Sequence, residues 1–204
     1  MKYIKKRQMV CILISLAAAL LVTGFSYQRK EGEIQKKLAE EVFRFHVIAN
    51  SDSDYDQNLK MKVKENVIAY MKEAIPESES AKMTREWAAT HLTEIEEIAI
   101  DTLQNEGCFD EVTACVTECY FPDKTYGDLT FPKGMYEALR IEIGEAKGQN
   151  WWCVLYPNLC FIDAVHAVVP DEGKAELKEV LDEEEYEMVT ATSKFKIKWF
   201  FLPF

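Results

Sequence analysis

The side chains able to do chemistry are plentiful but scattered. The chain has 35 Asp and Glu, three histidines and six cysteines in 204 residues. Asp52, Asp54 and Asp56 form a D-x-D-x-D run like the start of a calcium loop. The rest of that loop fails: its sixth position, normally Gly, is Gln57, and its twelfth, normally Glu, is Val63. The acids sit instead where a helix should begin, and there they complement the macrodipole and cap free N–H groups. His46, His91 and His166 lie far apart, and none opens an H-E-x-x-H motif. No G-x-S-x-G elbow, P-loop or G-x-G-x-x-G is present. With so many acids some carboxylates must lie close by chance, so a glycosidase pair carries no weight. The residues predict no catalytic group, no metal and no cofactor. A membrane-anchored envelope hydrolase or metal-binding protein is the competing class.

Cysteine placement points to structure. Cys11 lies in an apolar segment; Cys108, Cys115, Cys119, Cys153 and Cys160 lie in the body. Cys153 and Cys160 flank Val-Leu-Tyr-Pro-Asn-Leu, where Pro157 and Asn158 favour a turn, so these two thiols are the candidate disulfide. Cys108, Cys115 and Cys119 leave one thiol over, and their pairing stays open. Zinc is the competing use. On a strand, Cys115 and Cys119 would face one side some 13 Å apart at ~3.3 Å per residue, too far to share a metal.

Two further segments have the character of recognition sites. Tyr126-Gly127-Asp128-Leu129-Thr130 falls in a turn-rich stretch, and Trp151 and Trp152 are adjacent indoles aimed at opposite faces of a strand. One Trp belongs in the core; the other is either covered by a helix or exposed as a partner-binding anchor. Tyr126, Gly127, Asp128, Trp151 and Trp152 are therefore the candidate contacts for a macromolecular partner.

The elements that must position these residues follow from periodicity. Val42 to Ala49 is rich in β-formers and reads as a strand; Asn50 to Asp54 breaks it. Leu59, Val63, Val67, Tyr70, Met71 and Ala74 share a helix face closed by Pro76. A second helix runs from a Thr84 cap to Leu103, with Gly107 as its stop. Strands follow at Glu111–Phe121, Tyr136–Gly144 and Trp151–Tyr156, the last two joined by a hairpin loop at Ala146–Asn150. Glu172–Tyr186 reads as an acidic helix, and Phe195–Trp199 as a final strand. The fold class is α+β: an antiparallel β-sheet meander with helices packed on one face, preceded by an N-terminal membrane or signal segment.

That first segment explains the charge. The formal net charge is −11, from 24 basic and 35 acidic side chains. Residues 1–30 hold six basic side chains and no acid, so the remainder carries 18 basic against 35 acidic, or −17. An acidic body excludes a nucleic-acid face, which needs clustered Lys and Arg. Between Lys5-Lys6-Arg7 and Arg29 no charge occurs, and Val10 to Phe25 is almost wholly apolar. A basic flank before an apolar core is an export pattern that keeps the N-terminus inside and sends the body across. Gly24-Phe25-Ser26 offers small residues for cleavage without a clean Ala-x-Ala site. An uncleaved anchor is the alternative, since Met9 to Tyr27 is nearly long enough to span ~30 Å of hydrocarbon. Residues 1–27 are read as signal peptide or anchor, 28–41 as a charged stalk and 42–204 as the extracytoplasmic domain.

Several stretches resemble one family. They are His46-Val-Ile-Ala-Asn-Ser-Asp-Ser53 with Asp56-Gln-Asn-Leu-Lys60; Phe121-Pro-Asp-Lys-Thr-Tyr-Gly-Asp-Leu129; Tyr136-Glu-Ala-Leu-Arg-Ile141 with Ile143-Gly-Glu145; and Asn150-Trp-Trp-Cys-Val-Leu-Tyr-Pro157 with Leu159-Cys-Phe161. In this order, from about Phe43 to Asp163, they resemble stage II sporulation protein R of endospore-forming Firmicutes. The resemblance implies a signalling protein rather than an enzyme. Such a protein is exported from the forespore into the intermembrane space, or anchored in that membrane with its body outside. There it activates a membrane-embedded aspartic protease of the mother cell that processes pro-sigma factor E. It implies a membrane contact through the N-terminal segment, no small-molecule substrate and no catalytic residues, and it favours Cys153 and Cys160 as a shared structural feature.

Overall fold

The computed structural model describes residues 2–76, 80–161, 169 and 171–190. The chain divides into two compact units, residues 1–36 and 37–204. The first is helical and belongs to α1 (Lys2–Glu41), whose 40 residues extend ~60 Å at 1.5 Å per residue. Its apolar stretch is long enough to cross a membrane by length and composition, and Ile12, Leu16, Leu20, Val22 and Phe25 along it are exposed.

The second unit begins with the foot of α1 and β1 (Phe43–Ile48), followed by α2 (Asp54–Ala74), α3 (Ala81–Thr90) and α4 (Leu92–Asn105). Then come β2 (Val112–Phe121), the short pair β3 (Lys124–Tyr126) and β4 (Leu129–Phe131), β5 (Gly134–Ile143) and β6 (Asn150–Tyr156). A 3-10 turn at Leu159–Phe161, α5 (Asp171–Val180) and a last helix over 183–190 complete the described chain. The strand proposed at Phe195–Trp199 and His166 lie outside the described residues.

The α+β class holds, with a mostly antiparallel sheet, but the consecutive meander does not. The strand order is β2-β5-β1-β6, with β1 parallel to β5 and antiparallel to β6. β1 takes a central place because all six of its residues are buried, which only a strand covered on both faces achieves. The connection after Ile143 is therefore not a hairpin. It crosses the end of β1 to reach a strand two positions away, roughly 10 Å at ~4.8 Å per strand.

One face of the sheet carries α2, α3 and α4, with Phe45, Val47, Leu139, Ile141 and Leu155 packed against Val63, Val67, Ile95 and Ala99. Each such fully buried aliphatic side chain contributes roughly 1.5–3 kcal/mol. Helices are not confined to this face. On the other, Ala138, Tyr136 and Val154 pack with Leu129 and Phe131 of the small hairpin, Leu38 of α1, Leu177 of α5, and Val189. The single helix proposed from Thr84 to Leu103 is two. Ser80, not Thr84, supplies the cap through its side chain to Met83 N–H. Thr90 Oγ1 and the His91 ring take the carbonyls of Glu86 and Trp87 that would continue the ladder. α4 then ends as proposed: Gly107 has φ +75°, and Gly107 and Cys108 N–H reach back to Gln104 and Leu103. The acidic C-terminal helix is likewise divided, because Asp182 and Glu185 bond each other's backbone N–H at 2.9 Å and start a new helix.

Candidate functional site

The turn-rich segment after β2 is a small antiparallel hairpin laid on the second face of the sheet. What holds it there is Arg44 of β1, a fully buried residue. Its Nε donates to the Cys153 carbonyl at 3.0 Å and its Nη2 to the Tyr126 hydroxyl at 3.0 Å. The guanidinium lies 4.3 Å from the Phe121 ring centroid, 5.0 Å from Tyr136, 5.3 Å from Phe131 and 5.9 Å from Tyr126. Among the described residues no carboxylate forms an ion pair with it, so the ring faces and two oxygens carry its charge. Burial pushes the Tyr126 phenol far above its usual pKa, so it stays a neutral hydrogen-bonding group.

Of the segment 126–130, then, Tyr126 is half-buried with its hydroxyl pointed inward, and Gly127 is exposed at the turn. Asp128 accepts from Val169 N–H at 3.1 Å and pairs with Lys174 of α5 at 2.7 Å. Partial burial pushes its carboxyl up, but the Lys174 bond and backbone donors outweigh this and hold it below the usual range. The hairpin is thus bonded to β1 below it and to α5 beside it.

The two indoles do point to opposite faces, and both are half-buried. Trp151 stands edge-on to Phe45 at 5.6 Å, with Lys64 Nζ 5.3 Å from its ring. Trp152 stacks on His46 at 5.0 Å and 14°, meets Phe121 at 4.7 Å, and has Lys124 Nζ 5.5 Å from its ring. His46 sits beneath Trp152, almost fully buried. Burial, then the charges of Arg140 and Arg44, lower its pKa to about 4, so the imidazole is neutral at physiological pH. Its Nε2 lies 3.5 Å from Cys119 Sγ. A neutral, stacked histidine at this depth suits packing better than proton transfer near pH 7.

Cys153, on β6, and Cys160, in the following turn, are free thiols in this structure, and burial first, then the neighbouring Cys153, raises Cys160 well above the usual thiol range. Cys115 and Cys119 share β2, and Cys108 is buried just after α4. Among the described residues no three of His, Cys, Asp and Glu are grouped to hold a metal ion.

The aspartate run does structural work. Ser53 caps α2 through its side chain. Asp56 accepts from Ser51 Oγ at 2.5 Å and Asn50 Nδ2 at 3.2 Å, and these bonds, Ser51 foremost, hold its carboxyl below the usual range. Asp52 accepts from Gln149 N–H, Asn50 Oδ1 from Glu145 N–H, and Lys60 donates to the Gln149 carbonyl. Residues 50–60 therefore clasp the crossing loop 144–149.

The structure brings Tyr126 and the Cys153 carbonyl to Arg44, and leaves Cys160 and Trp151 packed on the other face. Sequence reasoning missed Arg44. Its one signal was an arginine set among β-formers in Val-Phe-Arg-Phe-His-Val, where a cation has to find partners inside.

A family model described as stage II sporulation protein R matches residues 39–166. Stage II sporulation protein R of Bacillus subtilis (strain 168) is 32% identical over 197 residues, covering 93% of this chain and 87% of the relative. No solved structure matches.

Proposed function

The chain belongs to the stage II sporulation protein R family and so has a role in sporulation; from that membership we propose that it is an exported signal that activates a membrane-embedded aspartic protease, leading to processing of pro-sigma factor E. The observation that carries the reading is the pairing of an exposed apolar N-terminal helix with a separate body of opposite charge. Residues 1–27 deliver the chain as signal or anchor, 28–41 form the stalk, and 42–204 are the part that acts outside the forespore cytoplasm. Activation proceeds by differential binding: the body binds the active arrangement of the protease more tightly and shifts its population. Cys153 and Cys160 close a disulfide in that compartment, where such bonds persist.

The first contact surface is the hairpin turn at Tyr126, Gly127 and Asp128 with Trp152, which shares its face of the sheet; Trp151, on the opposite face, is a separate candidate contact. Exposure of Gly127 and partial exposure of Trp152 support the hairpin surface. The test is co-expression of this chain, the protease and the precursor in a host that does not sporulate. Processing should appear only when the exported chain is present. Asp128→Ala should fold and fail to trigger. Tyr126→Phe, which keeps the ring and loses one hydrogen bond from a buried guanidinium, worth about 1.5–3 kcal/mol, should still trigger where Tyr126→Ala does not. Normal processing with both alanine variants removes the hairpin from the contact surface, and processing without this chain removes the activation reading.

A further inference from the structure

At the end of the body opposite the foot of α1, Phe109 stands in solvent, with Tyr55 near it, also exposed and bonded through its hydroxyl to the Glu106 carbonyl. β1 starts beside α1 at Phe43 and ends at Ile48; Ile48 pairs with Glu142, and the next residue of β5, Ile143, pairs with Val112 at the start of β2. The turn from α4 into β2 therefore lies at the far end, and it carries Phe109, 81% exposed. The turn is held at both ends: Cys108 is buried with its N–H bonded back to the Leu103 carbonyl, and Val112 pairs with Ile143 in the sheet. Beside Phe109 is a recess of about 300 Å³ lined by Ile100, Gln104, Val112 and Thr113. The surroundings are acidic. Residues 92–111 contain seven Asp and Glu and no Lys or Arg; Asp101, Glu106 and Glu111 are exposed, and of these Glu106 is paired with Lys62 of α2 at 2.6 Å.

We propose that this pole is a docking surface for the membrane-embedded partner, which meets it with a basic surface holding an apolar pocket for the Phe109 ring. This rests on the activation reading above and adds a second contact to it. Charge selects the occupant. A second copy would set acids against acids, and an anionic bilayer would be repelled by the same field. A basic surface gains from both the field and the ring, and an aromatic anchor inside a polar rim is a common interface arrangement.

The test uses the full-length chain in the co-expression system, with membrane-located amount and thermal midpoint measured for each variant. Phe109→Ala should fold like the wild type and lower precursor processing roughly tenfold or more, the loss typical of an anchor residue. Phe109→Trp should keep most of the activity, and the double variant Asp110→Asn, Glu111→Gln should lower it several-fold. Wild-type levels of processing with Phe109→Ala overturn this surface and leave the activation reading intact. Failure of the wild-type chain itself to trigger processing overturns both. A wild-type chain that sediments as a dimer and becomes monomeric on Phe109→Ala assigns the pole to a second copy, which overturns the partner named here.

Discussion

His46 gives the protein a pH dependence whose sign follows from its burial. Its folded pKa, about 4, lies below the ordinary 6.5. Between these values the unfolded chain binds a proton that the folded chain does not, so stability falls as pH drops through that window and is fully present above it. Going from pH 7 to pH 4.5, this one group should remove roughly 2 kcal/mol. His46→Gln keeps a neutral side chain, so its own loss over the same interval should be smaller by about that amount, as read from chemical unfolding at the two pH values. Equal losses would mean that the imidazole does not titrate as its burial requires. Arg44 obeys the same physics differently. A guanidinium cannot shed its proton, so the fold supplies four ring faces and two oxygens, and the hairpin that carries Tyr126 is fastened by that need.

At the scale of elements, the deciding feature is the loop 144–149 that carries the chain over β1. It runs so close to residues 49–51 that Lys147 and Gly148 N–H bond the carbonyls of Asn50 and Ala49 at 3.1 and 2.9 Å. A Cβ on Gly148 would collide with the backbone carbonyl of Ser51, and one on Gly144 with the Asn50 amide, at a backbone φ of +57° as well. Gly148→Ala should therefore destabilise the body by about 2 kcal/mol or more, because the atom it meets is backbone and cannot turn aside. Gly32→Ala, which meets nothing within 4 Å, should not. A comparison of their unfolding midpoints checks this. The clasp also accounts for the aspartates: Asp52 and Asp56 are engaged with the loop and the helix start, and the calcium-like spacing is a by-product.

For the whole molecule, the asymmetry of charge sets the expected topology. Alkaline phosphatase fused after Phe204 should be active in a bacterial host, since that enzyme folds only outside the cytoplasm. Deleting Val10–Phe25 should abolish its activity while leaving the fusion's amount unchanged. An active fusion without that segment would show that delivery does not depend on it. The size of the fusion on a gel distinguishes a cleaved signal from a retained anchor.

Much of this was legible in the residues themselves. Local periods placed β1, α2, β2, β5 and β6 within a few residues of their observed ends, because apolar spacing reports which side of an element meets the core. The apolar head and the acidic body were equally visible, since charge and hydropathy are sums over the chain. The order of the strands was not, because a six-residue connection is as compatible with a hairpin as with a step over a neighbouring strand. Only the burial of all of β1, with a loop able to pass close above it, selects the second. The site shows the same division. Tyr126, Asp128 and the Trp pair stood out by type, but their surroundings are set by Arg44, Lys174 and His46 from distant parts of the chain. Type and spacing determine what a side chain is able to do; long-range packing decides whether it meets the core, a neighbour or the solvent.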